Sequence, residues 1–143
     1  MATPNSVIQP IQKVQNTAER LILRAPHHQS RTPLLQQLHW LPISERIKYK
    51  TACMCYNAIT GSAPSYLSEH TAPLQSFPLS ALHHADTRML QLQRLNRKTH
   101  GFRTFSPSVS NVWNNLRQNM MHSATLSSFK SKLETFLFSE YFS

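Results

Sequence analysis

Apolar residues recur along most of this chain at three- and four-residue steps, the spacing that lines one side of an α-helix. The pattern is densest in LLQQLHWLPISERIKYKTACMCYNAITG, from Leu34 to Gly61. Leu34, Leu35 and Leu38 sit one turn apart, and Pro42 pushes its predecessor out of the helical region, which predicts a turn near Trp40 and Leu41. A longer helix follows. Either Pro42 takes its first position, where a missing N–H is not needed, or Ser44 caps it with Glu45 just inside the positive end of the dipole. Ile43, Ile47, Thr51, Met54 and Ala58, broadened by Cys55 and Tyr56, predict its apolar stripe, and Gly61 its left-handed stop.

Upstream, Pro10 near a helix start precedes a stripe of Ile11, Val14, Ala18, Leu21 and Ile22, with Gln12, Lys13, Gln15, Asn16, Glu19 and Arg20 on the other side. This amphipathic helix ends near Ala25-Pro26, and HHQSRTP reads as a turn before Thr32-Pro33 opens the Leu34 helix. Downstream, Pro64 opens a turn or two of helix with Tyr66 and Leu67. Residues 71–86 keep no period and read as a loop. In residues 87–106 Leu90 and Leu92 alternate with Gln91 and Gln93, which fits either a short β-hairpin or an irregular arm laid over helices. Pro107 opens a helix carrying Val109, Val112, Trp113 and Leu116. After a polar break from Arg117 to Ser123, Thr125 caps a last helix bearing Leu126, Phe129, Leu133, Phe136 and Leu137, and Phe138, Tyr141 and Phe142 extend it. The predicted fold is mainly α, one domain over residues 1–143. It is an irregular bundle of about five helices around Leu38, Trp40, Met54, Trp113 and Phe129, with the basic arm or hairpin between the central and C-terminal helices.

Charge adds a partner class. With 15 Lys and Arg against 6 Asp and Glu the net charge is +9, which suits a polyanion such as nucleic acid, although an anionic membrane surface attracts the same charge. No apolar run reaches membrane-spanning length, and MATPNSVIQP lacks the features of a signal peptide, so an intracellular protein of the nucleus or cytoplasm is expected, without a membrane partner. Cys53 and Cys55 sit two apart on one predicted helix and point to nearly opposite sides, which disfavours a disulfide or a shared metal clamp.

The blocks KVQNTAERLIL, TPLLQQLHWLPISERIKYKTACMCYNAITGSAPSYLSE, DTRMLQLQRLNRKTHGFRTFSPSVSNVWNNL and HSATLSSFKSKLETFLFSEYF follow one another from about Ile11 to the end. In this order they resemble the C-terminal region of reverse transcriptase polyproteins from non-LTR (LINE-type) retrotransposons. The resemblance implies a piece lying after the polymerase core and thumb, where the tail helps hold template RNA or target DNA. It also implies no catalysis, because the palm aspartates and the endonuclease lie upstream in that family and Asp86 is the only aspartate here. Residues 71–86 and Arg117-Gln118 depart from the family pattern, as in a decayed element copy.

The expected nucleic-acid contacts are Arg88, Arg94, Arg97, Lys98 and Arg103, with no acid between Asp86 and Glu134. Such cations neutralise backbone phosphates without reading sequence, and the alternative is a solvated arm; the resemblance favours phosphate contact. Arg46 and Lys50, one turn apart, read with Lys48 as a solvated helix face first, and the alternative is that with Lys13 and Arg20 they extend the positive surface as further nucleic-acid contacts. Phe102 and Phe105 read as buried pegs rather than base-stacking platforms. The pairs His27-His28 and His83-His84 lack the compact four-ligand set of a zinc site, no nucleophile has a positioned base, and His39 is expected to hydrogen-bond across its turn. The expectation is therefore a non-enzyme without cofactor or metal that binds RNA or DNA backbones with low specificity. A protein-interaction module, docking its aromatic C-terminal helix on a reverse transcriptase core in trans or another partner, is the alternative. A decayed copy with no selected function is the third reading.

Overall fold

A computed structural model describes residues 5–65 and 109–143. Among these residues 74% are helical and none is in a strand, which fixes the mainly α class. The expected loop at 71–86, the arm or hairpin at 87–106, Tyr66, Leu67 and Pro107 lie outside the described residues. Contacts gather the chain into two compact units, one of Ala2–Tyr49 with Glu134–Ser143, the other of Lys50–Leu133.

The first unit contains α1 (Asn5–Leu23) and α2 (Arg31–Gln37), which pack on each other, together with the start of α3 (Ile43–Ile59). Pro10 lies inside α1 rather than at its start. The expected apolar stripe of α1 is not what the unit buries. Ile11, Val14, Leu21 and Ile22 are exposed, joined by Val7, while Gln15 and Glu19 are buried. The cause is hydrogen bonding at the α2–α3 turn. Gln15 Nε2 donates to the Leu41 carbonyl at 2.9 Å, and the Ile43 N–H, orphaned at the start of α3, donates to Gln12 Oε1 at 3.0 Å. Gln12 Nε2 in turn donates to Gln15 Oε1 at 3.0 Å and Asn16 Oδ1 at 2.9 Å, so the polar side of α1 holds the turn's backbone. Leaving those buried groups unpaired would cost about 1–3 kcal/mol each.

The Pro42 carbonyl accepts from the Arg46 N–H at 3.0 Å, so Pro42 stands just before α3, at neither of the two starts the sequence offered. Glu45 does lie in the first turn, buried and 2.9 Å from Lys48 Nζ. Three helices end alike. Ala25 N–H reaches Arg20 O, Trp40 N–H reaches Leu35 O and Ser62 N–H reaches Asn57 O, each across a left-handed residue, Arg24, His39 and Gly61 respectively. Gly61 is the stop that the sequence predicts. His39 packs edge-on against Phe138 at 4.5 Å, and no bond from its ring across the turn accompanies that contact among the described interactions. Leu34 and Leu35 are buried, but Leu38 and Trp40 are only half-buried, so neither anchors a core.

The second unit holds the rest of α3, a helical segment at residues 109–114 (α4), the short α5 (Gln118–Met121) and the first part of α6 (Leu126–Phe142). Its core is Trp113, Phe129, Leu133, Val109, Met121 and Tyr56. Phe129 stacks on Tyr56 at 4.6 Å and tilts against Trp113 at 5.7 Å. Tyr56 Oη donates to the Ser123 carbonyl at 2.9 Å, tying α3 to the segment before α6. This fixes the rotation of α3. Ala52, Cys53, Cys55, Tyr56 and Ala58 are buried, whereas Ile47 and Met54 of the expected stripe are exposed and Ile43 and Thr51 half-buried. Both cysteines are unbridged, and burial pushes the Cys55 thiol far above its ordinary value, which makes it inert. The expected polar break holds α5, whose Met120 and Met121 are buried. Thr125 caps α6 as its spacing predicts, with its Oγ1 accepting from the Ser128 N–H at 3.2 Å.

Candidate nucleic-acid interface

Where the ionisable side chains end up decides what the surface can attract. In the first unit Lys13, Arg24, Arg31, Arg46 and Lys48 are exposed and Arg20 is half-exposed, whereas Glu19 and Glu45 are buried. Only Glu134 and Glu140 present exposed carboxylates there among the described residues. Neither oxygen of Glu19 has a hydrogen-bond partner, and Arg20 Nε is likewise buried and unbonded among the described residues. Burial raises the Glu19 pKa, and the neighbouring charges of Arg20 and Arg31 pull it partly back.

At the end of α1, Thr17, Arg20, Leu21, Arg24, Ala25 and His27 line an open cleft of about 380 Å³. Two guanidinium groups and an imidazole on such walls suit an anion of phosphate size by charge. In the second unit Lys50, Arg117, Lys130 and Lys132 are exposed, and no acid occurs among its described residues. Lys132 Nζ donates to Asn119 O at 3.3 Å and Ser123 Oγ at 3.4 Å, which orients its charge beside α5.

Of the residues expected from sequence to contact nucleic acid, Arg46 and Lys50 are exposed on α3, four positions apart. Arg88, Arg94, Arg97, Lys98 and Arg103 lie outside the described residues. Arg24, Arg31, Arg117, Lys130 and Lys132 are exposed as well, and sequence reasoning did not place them on the positive surface. It missed the burial of Glu19 and Glu45 as well. The available signal for Glu45 was its place in the first turn of a helix three residues before Lys48.

Among the described residues no three His, Cys, Asp or Glu side chains gather as a metal site, and no helix is long and apolar enough to cross a membrane. No family model matches the chain, and no curated protein or solved structure matches it significantly.

Proposed function

We propose that this chain is a non-catalytic, sequence-independent nucleic-acid-binding remnant of the region that follows the polymerase core in non-LTR retrotransposon reverse transcriptases. The observation that carries the reading is the sorting of charge in the first unit, where Glu19 is buried and Glu45 is paired with Lys48 at 2.9 Å while Lys13, Arg24, Arg31 and Arg46 face solvent. A surface of this kind captures phosphate backbones by releasing their counterions and reads no base edges. Arg88, Arg94, Arg97, Lys98 and Arg103 add a second basic run through the sequence. The ligand is RNA or DNA, and the place of action is the nucleus or cytoplasm. The alternative, docking through the aromatic C-terminal helix, has less free surface to work with, because Phe138 packs on Phe142 at 4.5 Å and on His39 at the same distance.

Filter binding across a salt series tests the proposal. If Arg94, Arg97, Lys98 and Arg103 each neutralise about one phosphate, they contribute about −3 to −4 to the slope of log affinity against log salt, at roughly −0.7 to −0.9 per contact. Replacing all four with glutamine is expected to weaken binding to every sequence alike and to flatten the slope, with the helical circular dichroism unchanged. A folded variant with parental affinity and slope would remove the arm from the interface.

A further inference from the structure

A cavity of about 200 Å³ lies within the first unit, where α1, α2, the turn before α3, the start of α3 and the end of α6 meet. Gln12, Arg31, Thr32, Pro42, Ser44 and Tyr141 supply most of its wall, and no acid does. The volume is well above the roughly 10–15 Å³ that a single water needs, so a phosphorus with three oxygens has room there. Among the described residues the side chains of Arg31, Thr32, Ser44 and Tyr141 make no hydrogen bond or ion pair, which leaves a guanidinium and two further hydroxyls uncommitted beside Thr32. Glu45, in the same first turn of α3 as Ser44, is already paired with Lys48 at 2.9 Å.

Thr32 is itself an exposed hydroxyl residue followed by proline, the pair that proline-directed protein kinases select. Those enzymes take their substrate extended, and the first turn of α2 is weakly held against that change. Proline disfavours the helical region for the residue before it, yet Thr32 is helical, and Ser30 at the N-cap makes no side-chain cap bond. We infer that Thr32 is a phosphorylation site and that the cavity receives its phosphate, with Arg31 pairing with the phosphate and the Ser44 and Tyr141 hydroxyls donating to it. ATP supplies the group: the bond from Thr32 Oγ1 to the γ-phosphorus forms as the bond from that phosphorus to ADP breaks, and the hydroxyl proton passes to the kinase's base. The modified residue carries about −1.5 to −2 charges at neutral pH and three strong acceptors, which suits a place between an arginine and the start of a 17-residue helix. The same phosphate occupies Arg31, one of the exposed cations of the unit, and so weakens the capture of nucleic acid. That consequence rests on the function proposed above, whereas the modification and its effect on stability do not.

The test uses the full chain carrying Thr3→Ala and Ser106→Ala, which leaves Thr32-Pro33 as its only Ser/Thr-Pro pair. Incubation with a proline-directed kinase and ATP is expected to place a single phosphate on Thr32 by mass spectrometry, and a chain with Thr32→Ala added is expected to take none. The phosphorylated chain is expected to melt about 2–6 °C above the unmodified one, and phosphorus NMR to give a second phosphate pKa below its ordinary value of about 6. Arg31→Gln is expected to remove both shifts, and because that side chain is exposed the variant is expected to fold as the parent does. Phosphorylation is also expected to flatten the salt slope of nucleic-acid binding by about one. A chain that binds no nucleic acid before modification would refute the proposed function and not this inference, which the melting and NMR shifts decide. No phosphate on Thr32, a phosphorylated chain that melts with or below the unmodified one, or shifts that survive Arg31→Gln would overturn it.

Discussion

Removing a single oxygen from Tyr56 tests how the second unit is held. Tyr56 is buried, its ring stacks on Phe129 at 4.6 Å with planes 21° apart, and its Oη donates to the Ser123 carbonyl at 2.9 Å. Tyr56→Phe keeps the stack and the volume but leaves a buried carbonyl without its donor, since Ser123 is buried as well. An unsatisfied buried acceptor costs about 1–3 kcal/mol, more than the net worth of the bond itself. For a chain of this size that corresponds to a drop in melting temperature of about 3–10 °C. Phe129→Ala, which opens a cavity against both Tyr56 and Trp113, is expected to cost about 3–5 kcal/mol, enough to unfold a domain of ordinary stability or bring it close to unfolding. Thermal denaturation followed by circular dichroism reads both, with Tyr141→Phe as the control because that ring is exposed and its loss of a hydroxyl is expected to stay within about 0.5 kcal/mol. The reasoning fails if Tyr56→Phe melts with the parent, or if Tyr141→Phe loses as much.

Three further outcomes are expected. Trp113→Ala is expected to destabilise by about 3–5 kcal/mol and Trp40→Ala by clearly less, because Trp113 is fully buried and Trp40 half-buried; equal midpoints in urea would contradict this. Glu19, whose folded pKa is raised by burial, holds its proton more tightly folded than unfolded. The stability it contributes is thus complete below the ordinary 4.5 and lost as pH rises through the raised value, so Glu19→Gln is expected to gain on the parent over that window in urea titrations at stepped pH. The purified chain is expected to show no primer extension or nuclease turnover with magnesium or manganese, because two-metal chemistry needs clustered carboxylates; extension above a mock preparation would refute the non-catalytic reading.

Helix boundaries in this protein were written in residues whose effects are local. Gly61 takes the left-handed stop, Thr125 caps the last helix, and Pro42 marks the turn, because each acts on the backbone within a few positions of itself. Periodicity also picked the buried sides of α4 and α6, where Val109, Trp113, Leu116, Phe129, Leu133 and Leu137 are enclosed, but not those of α1 and the start of α3. Periodicity assigned α1 and α3 to their apolar stripes, yet α1 turns Gln12 and Gln15 inward to serve the Leu41 and Ile43 backbone, thirty residues or so along the chain. In α3 the demand of Tyr56 for both Phe129 and the Ser123 carbonyl outweighs the stripe through Ile47 and Met54. Hydrogen bonds of that range leave no period in a sequence. The same holds for the candidate interface: net charge pointed to a polyanion, but which cations face solvent and which carboxyl groups are enclosed depends on packing.

The central claim, that the chain holds nucleic acid by its phosphates, is tested most directly by the salt dependence of wild-type binding to two RNAs and two DNA duplexes of unrelated sequence. The account predicts straight lines of log affinity against log salt with slopes at least as steep as about −3, and affinities within each nucleic-acid type that do not depend on sequence. Absence of binding at low salt, or an affinity that salt leaves unchanged, would contradict it.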